Sequence, residues 1–195
     1  MKRSWWRLTV LFCLVMAFFS ATALAAKPSL EARKTEVHHK VETTLTKLYQ
    51  KQPKAKIAVN EAAGYAVFVN TGYKLGIFGS SHGRGLAVNN ITGAEVYMRT
   101  QEYQAGLGLG AKEYANIFVF GNQEAWESFV SKGWSFGGHG TATATDGVAG
   151  GSLEGAFQVA PGIWLYQMTT KGLAAELGVK GTNYYRDKSF YPDEK

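Results

Sequence analysis

The hydrophobic period of this chain changes near Gly64, and that change limits the fold more than any other feature of the sequence. Before it, apolar residues recur at helical spacing; after it, short runs of β-branched and aromatic residues alternate with Gly, Asn and Thr. We therefore predict an α+β fold in which N-terminal amphipathic helices pack on a mainly antiparallel β-sheet with one inserted helix. The many glycines within the strand patterns favour a strongly curved or barrel-like sheet.

Two helices are predicted before the change of period. The first spans residues 29–52, with Ser29 as its N-cap and Pro53 as its stop. One side of this helix carries a narrow apolar stripe, and a basic flank lies beside it. The stripe consists of Leu30, Val37, Val41, Leu45 and Leu48, and the flank consists of Arg33, Lys40, Lys47 and Lys51. A second, short helix spans residues 54–63, and Gly64 is expected to end it in a left-handed conformation.

Short strands are predicted after Gly64, at residues 65–69, 74–78, 85–88, 95–99 and 117–120. A helix interrupts them, capped by Asn122 and closed by Gly133, with Trp126, Phe129 and Val130 on one face. Strands resume at residues 141–145, 156–159, 163–169 and 173–179. Residues 26–195 are expected to form a single domain that is helical over 26–63 and mainly β over 64–195.

The first 25 residues have the pattern of a cleavable secretory signal peptide. A basic start is followed by apolar residues 8–24 and by the small-residue site Ala23-Leu24-Ala25. We expect cleavage after Ala25 and export, to the periplasm of a Gram-negative bacterium. A retained membrane anchor is the alternative, because roughly 17 apolar residues lie at the lower limit for crossing a bilayer. Cys13 would leave with the leader, so the mature chain would have neither disulfides nor thiolate ligands.

The basic charge is concentrated near the N-terminus of the mature chain. Residues 26–60 contain eight Lys and Arg against three Glu, whereas residues 61–195 contain ten basic against twelve acidic residues. Such asymmetry suggests contact with an anionic surface, and export favours lipid headgroups over nucleic acid. The candidate lipid-binding residues are those of the basic flank, extended by Lys54 and Lys56. The alternative is an ordinary amphipathic helix that packs its stripe on the core.

No catalytic, cofactor or metal site is predicted. Ser81 in Gly79-Ser-Ser-His-Gly83 matches a hydrolase nucleophile motif, but that motif needs a strand, a turn and then a helix, and here a strand follows. A turn between strands is the preferred interpretation. The alternating glycines of residues 106–110 resemble half a dinucleotide motif without its helix. The histidines, such as the adjacent His38 and His39, lack metal-ligand spacing.

Three motifs between residues 62 and 185 carry a resemblance to a known family. The first is the run Ala62-Ala-Gly-Tyr-Ala-Val-Phe-Val69, which leads into Gly72 and Tyr73; the second is the set of glycine-rich strands through residue 85. The third is Lys171-Gly172 before a strand, followed by Asn183, Tyr184 and Tyr185. Together they resemble the SYLF domain family of lipid-binding proteins. The sequence departs from the family pattern at Asn70, where proline is common, and over residues 95–103.

The resemblance implies a non-enzymatic module that binds phospholipids through an N-terminal amphipathic helix and basic residues. The actin-regulating and SH3 partners of eukaryotic relatives do not carry over to an exported protein, and no protein partner is defined. The leading hypothesis is periplasmic binding to anionic phospholipid through the helix at 29–52, at a membrane surface. The alternatives are a small outer-membrane β-barrel, against which the short strands count, a structural envelope protein, and a hydrolase using Ser81.

Overall fold

The computed structural model describes residues 27–136, 150–169, 172–173 and 181–193. The predicted leader, the strand at 141–145, most of the strand at 173–179, and Lys171 lie outside these residues. The described part confirms the predicted α+β class. Three α-helices pack on a curled, seven-stranded antiparallel half-barrel.

The two N-terminal helices form where the sequence predicts them. Helix α1 spans Leu30–Lys51, and the side chain of Ser29 caps it by accepting a hydrogen bond from the Ala32 N–H at 3.1 Å. Helix α2 spans Lys54–Glu61. The predicted role of Gly64 is wrong: Ala62, the residue that follows α2, already has an extended conformation, and Gly64 is the first residue of a strand.

The predicted strands between residues 65 and 120 are wrong in number. They merge into two strands of 26 residues, β1 (Gly64–Asn89) and β2 (Glu95–Phe120), which pair antiparallel along their whole length. The register shifts once, between Gly76 and Phe78, and Gly76 has a φ of 66°. The glycines that suggested breaks between strands therefore serve to bend one long ribbon.

The bend brings the two halves of β1 together through glycines. A Cβ atom added at Gly64 would lie 2.6 Å from the Val88 carbonyl oxygen, and one at Gly85 would lie 2.5 Å from Cδ1 of Phe68. At Gly83 an added Cβ would overlap the Asn70 side chain. No larger residue fits at these approaches, and they hold the sheet in its curled form.

Two cores lie on opposite faces of the ribbon. The outer face, which includes Val67, Leu86 and Ile117, packs against α1 and α2. The inner face holds an aromatic cluster with helix α3 (Gln123–Lys132), composed of Phe68, Phe118, Phe120, Trp126, Phe129 and Tyr184. The predicted ends of α3 are confirmed, because the Asn122 side chain accepts from the Ala125 N–H at 2.9 Å and Gly133 has a φ of 72°.

The remaining strands extend the sheet from the free side of β2. Strand β7 (Gly181–Arg186) pairs with Met98–Tyr103 and carries β3 (Trp134–Phe136) on its other side. Strand β5 (Ile163–Thr169), as predicted, pairs with Tyr114–Phe120 and carries β4 (Phe157–Ala160) and the short β6 (Gly172–Leu173). Single turns of 3-10 helix lie at Gly151–Leu153 and Lys188–Phe190.

Candidate functional site

The apolar stripe of α1 is part of the core. Val37, Val41 and Leu48 are at most 5% exposed, and Leu30 and Leu45 pack against the same cluster on the outer face of the sheet. The helix therefore leaves its basic flank, and not its apolar stripe, at the protein surface. This is the arrangement expected of an amphipathic helix in a globular core.

The residues of the basic flank differ in their surroundings. Arg33 donates to Ser189, from Nη1 to Oγ at 3.1 Å and from Nη2 to the carbonyl oxygen at 2.8 Å, and its guanidinium lies 4.9 Å from the ring centre of Phe190. Lys40 forms an ion pair with Glu36 at 2.6 Å, and this hydrogen bond holds the pKa of Glu36 below its usual range. Arg33 thus joins the start of α1 to the C-terminal 3-10 turn.

The lysines farther along the chain are more accessible. Lys47, Lys51 and Lys56 are exposed, and within the part of the chain that the structure describes they have no hydrogen-bonding or ion-pair partner. Lys54 is exposed as well, but it forms an ion pair with Glu154 at 2.8 Å. Lys47 and Lys51 are therefore the flank residues most available to an external anion.

A cleft of about 320 Å³ lies between α1 and the outer face of the ribbon. Lys40 brings the basic flank to its edge, and the strands contribute His82, Arg84 and Arg99. Sequence reasoning missed these three residues, because only the register of β1 and β2 places Arg84 directly opposite Arg99. His82 belongs to a strand and not to the turn that the glycine pattern suggested.

Beyond the cleft, the bend of the ribbon exposes large apolar side chains. We call this group, Tyr73, Leu75, Ile77, Phe78 and Leu109, the apolar bend; its members are 56–80% exposed. Leu75 and Leu109 stand directly opposite one another in the register. Lys74 and Lys112 lie beside them and line a hollow of about 230 Å³ with Tyr73 and Leu109. Soluble monomers seldom expose several large apolar side chains side by side, so this group marks an interaction surface.

The family motif residues are mainly structural. Gly72 permits close packing, since a Cβ added there would lie 3.2 Å from that of Ser81, and Gly172 belongs to β6. Tyr184 is buried in the inner core, where its hydroxyl accepts from Asn116 Nδ2 at 2.7 Å, whereas Tyr185 is 37% exposed. Asn183 accepts from Ser135 at 2.7 Å. Tyr73 differs from the others because it belongs to the apolar bend.

Ser81 is neither at a nucleophile elbow nor in a turn. It lies within β1 opposite Glu102, is 1% exposed, and its Oγ is 2.9 Å from the Tyr114 hydroxyl. That hydroxyl donates to Oε2 of Glu102 at 2.7 Å, and Thr182 donates to the same oxygen at 3.0 Å. Burial, with the nearby Glu102 carboxylate, raises the pKa of Tyr114. These groups form a buried polar network, and none of the histidines in the described ranges contacts the Ser81 hydroxyl.

The described ranges contain neither a group of metal-ligating side chains nor a helix that could span a membrane. No group of three His, Cys, Asp or Glu side chains there could hold a metal ion. No helix among them is long and apolar enough to cross a membrane.

Comparison with known proteins identifies relatives for both halves of the chain. The family model Ysc84, described as "Las17-binding protein actin regulator", matches residues 101–191. The protein "Beta cell expansion factor A" of Aeromonas veronii is 34% identical over 169 residues, which amount to 85% of this chain. The matched stretch is 61% of that protein's length, so the chain spans only part of its relative.

Proposed function

This chain belongs to the Ysc84 family of SYLF domains, and from that premise we propose that it binds the surface of anionic phospholipid membranes without catalysing a reaction. Membership of this family fits lipid binding. We further propose that the protein is exported to the periplasm, with its leader cleaved after Ala25. The actin-related role in the family description is not part of the proposal, because an exported protein would not meet actin.

The observation that carries the proposal is the apolar bend. Leu75 and Leu109 are 78% and 80% exposed, and Phe78 is 72% exposed. Apolar side chains at this exposure gain free energy by entering the acyl boundary of a bilayer, at about 25 cal/mol per Å² removed from water. Tyr73 combines an apolar ring with a polar hydroxyl, a combination suited to the level of the headgroups.

The basic flank supplies the second part of the interaction. Lys40 lines the cleft from α1, and Thr71 lines it from β1. Tyr73 of the apolar bend follows Thr71 by two residues and therefore lies on the same face of β1. Lys47 and Lys51 follow Lys40 along the same flank of α1. Each basic residue near an anionic surface contributes up to about 1 kcal/mol, so a few lysines are enough for reversible binding.

Replacing the exposed apolar residues tests the proposal. The double variant Leu75→Ser/Leu109→Ser should retain the thermal unfolding midpoint, because both side chains are already in water, but should lose most binding to vesicles rich in phosphatidylglycerol. The matched control is Ile57→Ser/Ile91→Ser, since these residues are 50% and 71% exposed but lie outside the apolar bend. Unchanged vesicle binding in the first variant, or an equal loss in both, would contradict the proposed surface.

A further inference from the structure

Arg84 and Arg99 form a like-charge pair across the two long strands. The register places them directly opposite one another, and 46% of each side chain is exposed. Like charges at directly opposed positions destabilise a sheet. Their close approach therefore requires a compensating anion.

The chain supplies part of this compensation through Asp187, which is 1% exposed. Oδ2 of Asp187 lies 3.4 Å from Nε of Arg84 and 3.9 Å from Nε of Arg99, so one carboxylate oxygen serves both guanidinium groups. Oδ1 accepts from the Ser189 N–H at 3.1 Å. The terminal Nη atoms of both arginines have no hydrogen-bonding partner in the described part of the chain.

The surrounding cleft has an excess of positive charge. Lys40, Arg84 and Arg99 carry three positive charges against the two negative charges of Glu36 and Asp187, and the His82 imidazole also lines the cleft. Val37, Val41 and Val69 form an apolar part of the wall. A low-dielectric wall focuses the field of the charges that line a cleft and so strengthens the binding of an anion.

We propose that this cleft binds a phosphate group, with the Nη atoms of Arg84 and Arg99 donating to its oxygens. Guanidinium groups match the geometry of phosphate and give strong charge-assisted hydrogen bonds. A phosphomonoester suits the cleft better than a phosphodiester, because it offers three terminal oxygens and more negative charge. The phosphate chemistry depends on the cleft alone, whereas a lipid as its source rests on the proposed function.

The position of the cleft favours a lipid headgroup as that source. Thr71 and His82 line the cleft, and Tyr73 of the apolar bend follows Thr71 on the same face of β1, about 7 Å farther along the strand. A phosphate seated between the arginines would thus leave the apolar part of its lipid beside the apolar bend. Along the outer face of the ribbon, the polar cleft is followed by the apolar bend. A phospholipid at a membrane surface has the same order, because its polar headgroup is followed by its apolar acyl chains.

The test compares vesicles of equal surface charge that contain either phosphatidic acid, a phosphomonoester, or phosphatidylglycerol, a phosphodiester. The test variant is Arg99→Gln. It should fold, because Arg84, which lies closer to Asp187 than Arg99 does, still forms an ion pair with that buried carboxylate. The matched control is Lys132→Gln, an exposed residue of α3. Unfolding midpoints in increasing inorganic phosphate report the same site without a membrane, and they are measured for all three proteins.

The wild-type protein should bind vesicles with phosphatidic acid about tenfold more tightly than vesicles with phosphatidylglycerol. Arg99→Gln should remove that preference. Its affinity for phosphatidylglycerol vesicles should fall no further than that of Lys132→Gln. Phosphate should raise the unfolding midpoint of the wild type and of Lys132→Gln, but not that of Arg99→Gln. Equal affinity for the two lipids, with no effect of phosphate, would overturn the phosphate site even if membrane binding itself persisted. An Arg99-dependent effect of phosphate without any vesicle binding would support the cleft but would contradict the proposed membrane function.

Discussion

Gly85 approaches Phe68 so closely that a Cβ atom on the glycine would lie 2.5 Å from Cδ1 of the ring. The same atom would overlap the carbonyl oxygen of Val67, which cannot move aside as the end of a flexible side chain could. This contact joins the two halves of β1, and it is therefore a condition for the curled form of the sheet.

Gly85→Ala should consequently destabilise the protein by about 2–3 kcal/mol or more, in the upper range of overpacking substitutions. Denaturant unfolding followed by circular dichroism measures the effect. Gly150→Ala is the control, because an added Cβ there meets nothing within 4 Å and the glycine has an ordinary φ of −93°. Equal stability of the two variants would show that the halves of β1 are not held in close contact.

The network around Glu102 predicts the behaviour of Tyr114 and Ser81. Tyr114→Phe removes a donor from a carboxylate that is only 2% exposed, and should cost about 1.5–3 kcal/mol of unfolding free energy. The control is Tyr103→Phe, because Tyr103 is 58% exposed. Ser81 in the wild-type protein should not react with a fluorophosphonate probe, because its hydroxyl is buried against Tyr114 and no basic side chain of the described residues contacts it. Labelling of Ser81 would restore the hydrolase hypothesis.

Local signals explain which elements could be predicted from the sequence. Ser29, Asn122 and Gly133 act within one turn of the helices that they delimit, and α1 and α3 were predicted with nearly their observed ends. The strand at Ile163–Thr169 was predicted from its own run of apolar and aromatic residues, which is also a local signal. The glycines correctly predict a curved sheet, but the prediction that those between residues 64 and 85 are breaks between elements is wrong, because their role depends on backbone contacts about 10 to 25 residues away in the chain.

The same distinction applies to the candidate site. Helical spacing identifies the basic flank of α1, but it does not show that Arg33 contacts Ser189, 156 residues away. The pairing of Arg84 with Arg99, and of Leu75 with Leu109, follows from a register with a shift at Gly76 that no local pattern specifies. The cleft and the apolar bend therefore became visible only in the folded chain.

Arg33 should behave as a structural residue. Its guanidinium joins α1 to Ser189 and Phe190, so Arg33→Ala should lower the unfolding free energy by about 1–3 kcal/mol. Lys34→Ala, which removes only an exposed ion pair with Glu31, should cost less than about 1 kcal/mol. At a temperature where both variants are folded, their vesicle binding should be equal. A loss confined to Arg33→Ala would instead assign that residue to the membrane surface.

Stability should decrease at alkaline pH. Burial raises the pKa of Tyr97 and Tyr166 to about 12, from an ordinary value near 10. The folded chain then keeps protons that the unfolded chain releases, so the stabilisation is complete below pH 10 and is lost as the pH rises through 12. Each tyrosine contributes at most about 2–3 kcal/mol. Urea unfolding at pH 8 and 11 should show a falling midpoint, and Tyr166→Phe should reduce that fall whereas Tyr103→Phe should not.

Charge reversal on the basic flank tests the electrostatic part of membrane binding. Lys47→Glu/Lys51→Glu removes two exposed positive charges and adds two negative ones, and should weaken binding to anionic vesicles by about ten- to a hundredfold at low salt. The control Lys132→Glu/Lys188→Glu makes the same change in net charge on α3 and on the C-terminal 3-10 turn. Because salt screens exposed charges, the difference between the two variants should shrink as ionic strength rises. If both variants lose the same affinity, only the net charge matters and α1 does not face the membrane. If neither loses affinity, the apolar bend binds without help from the lysines.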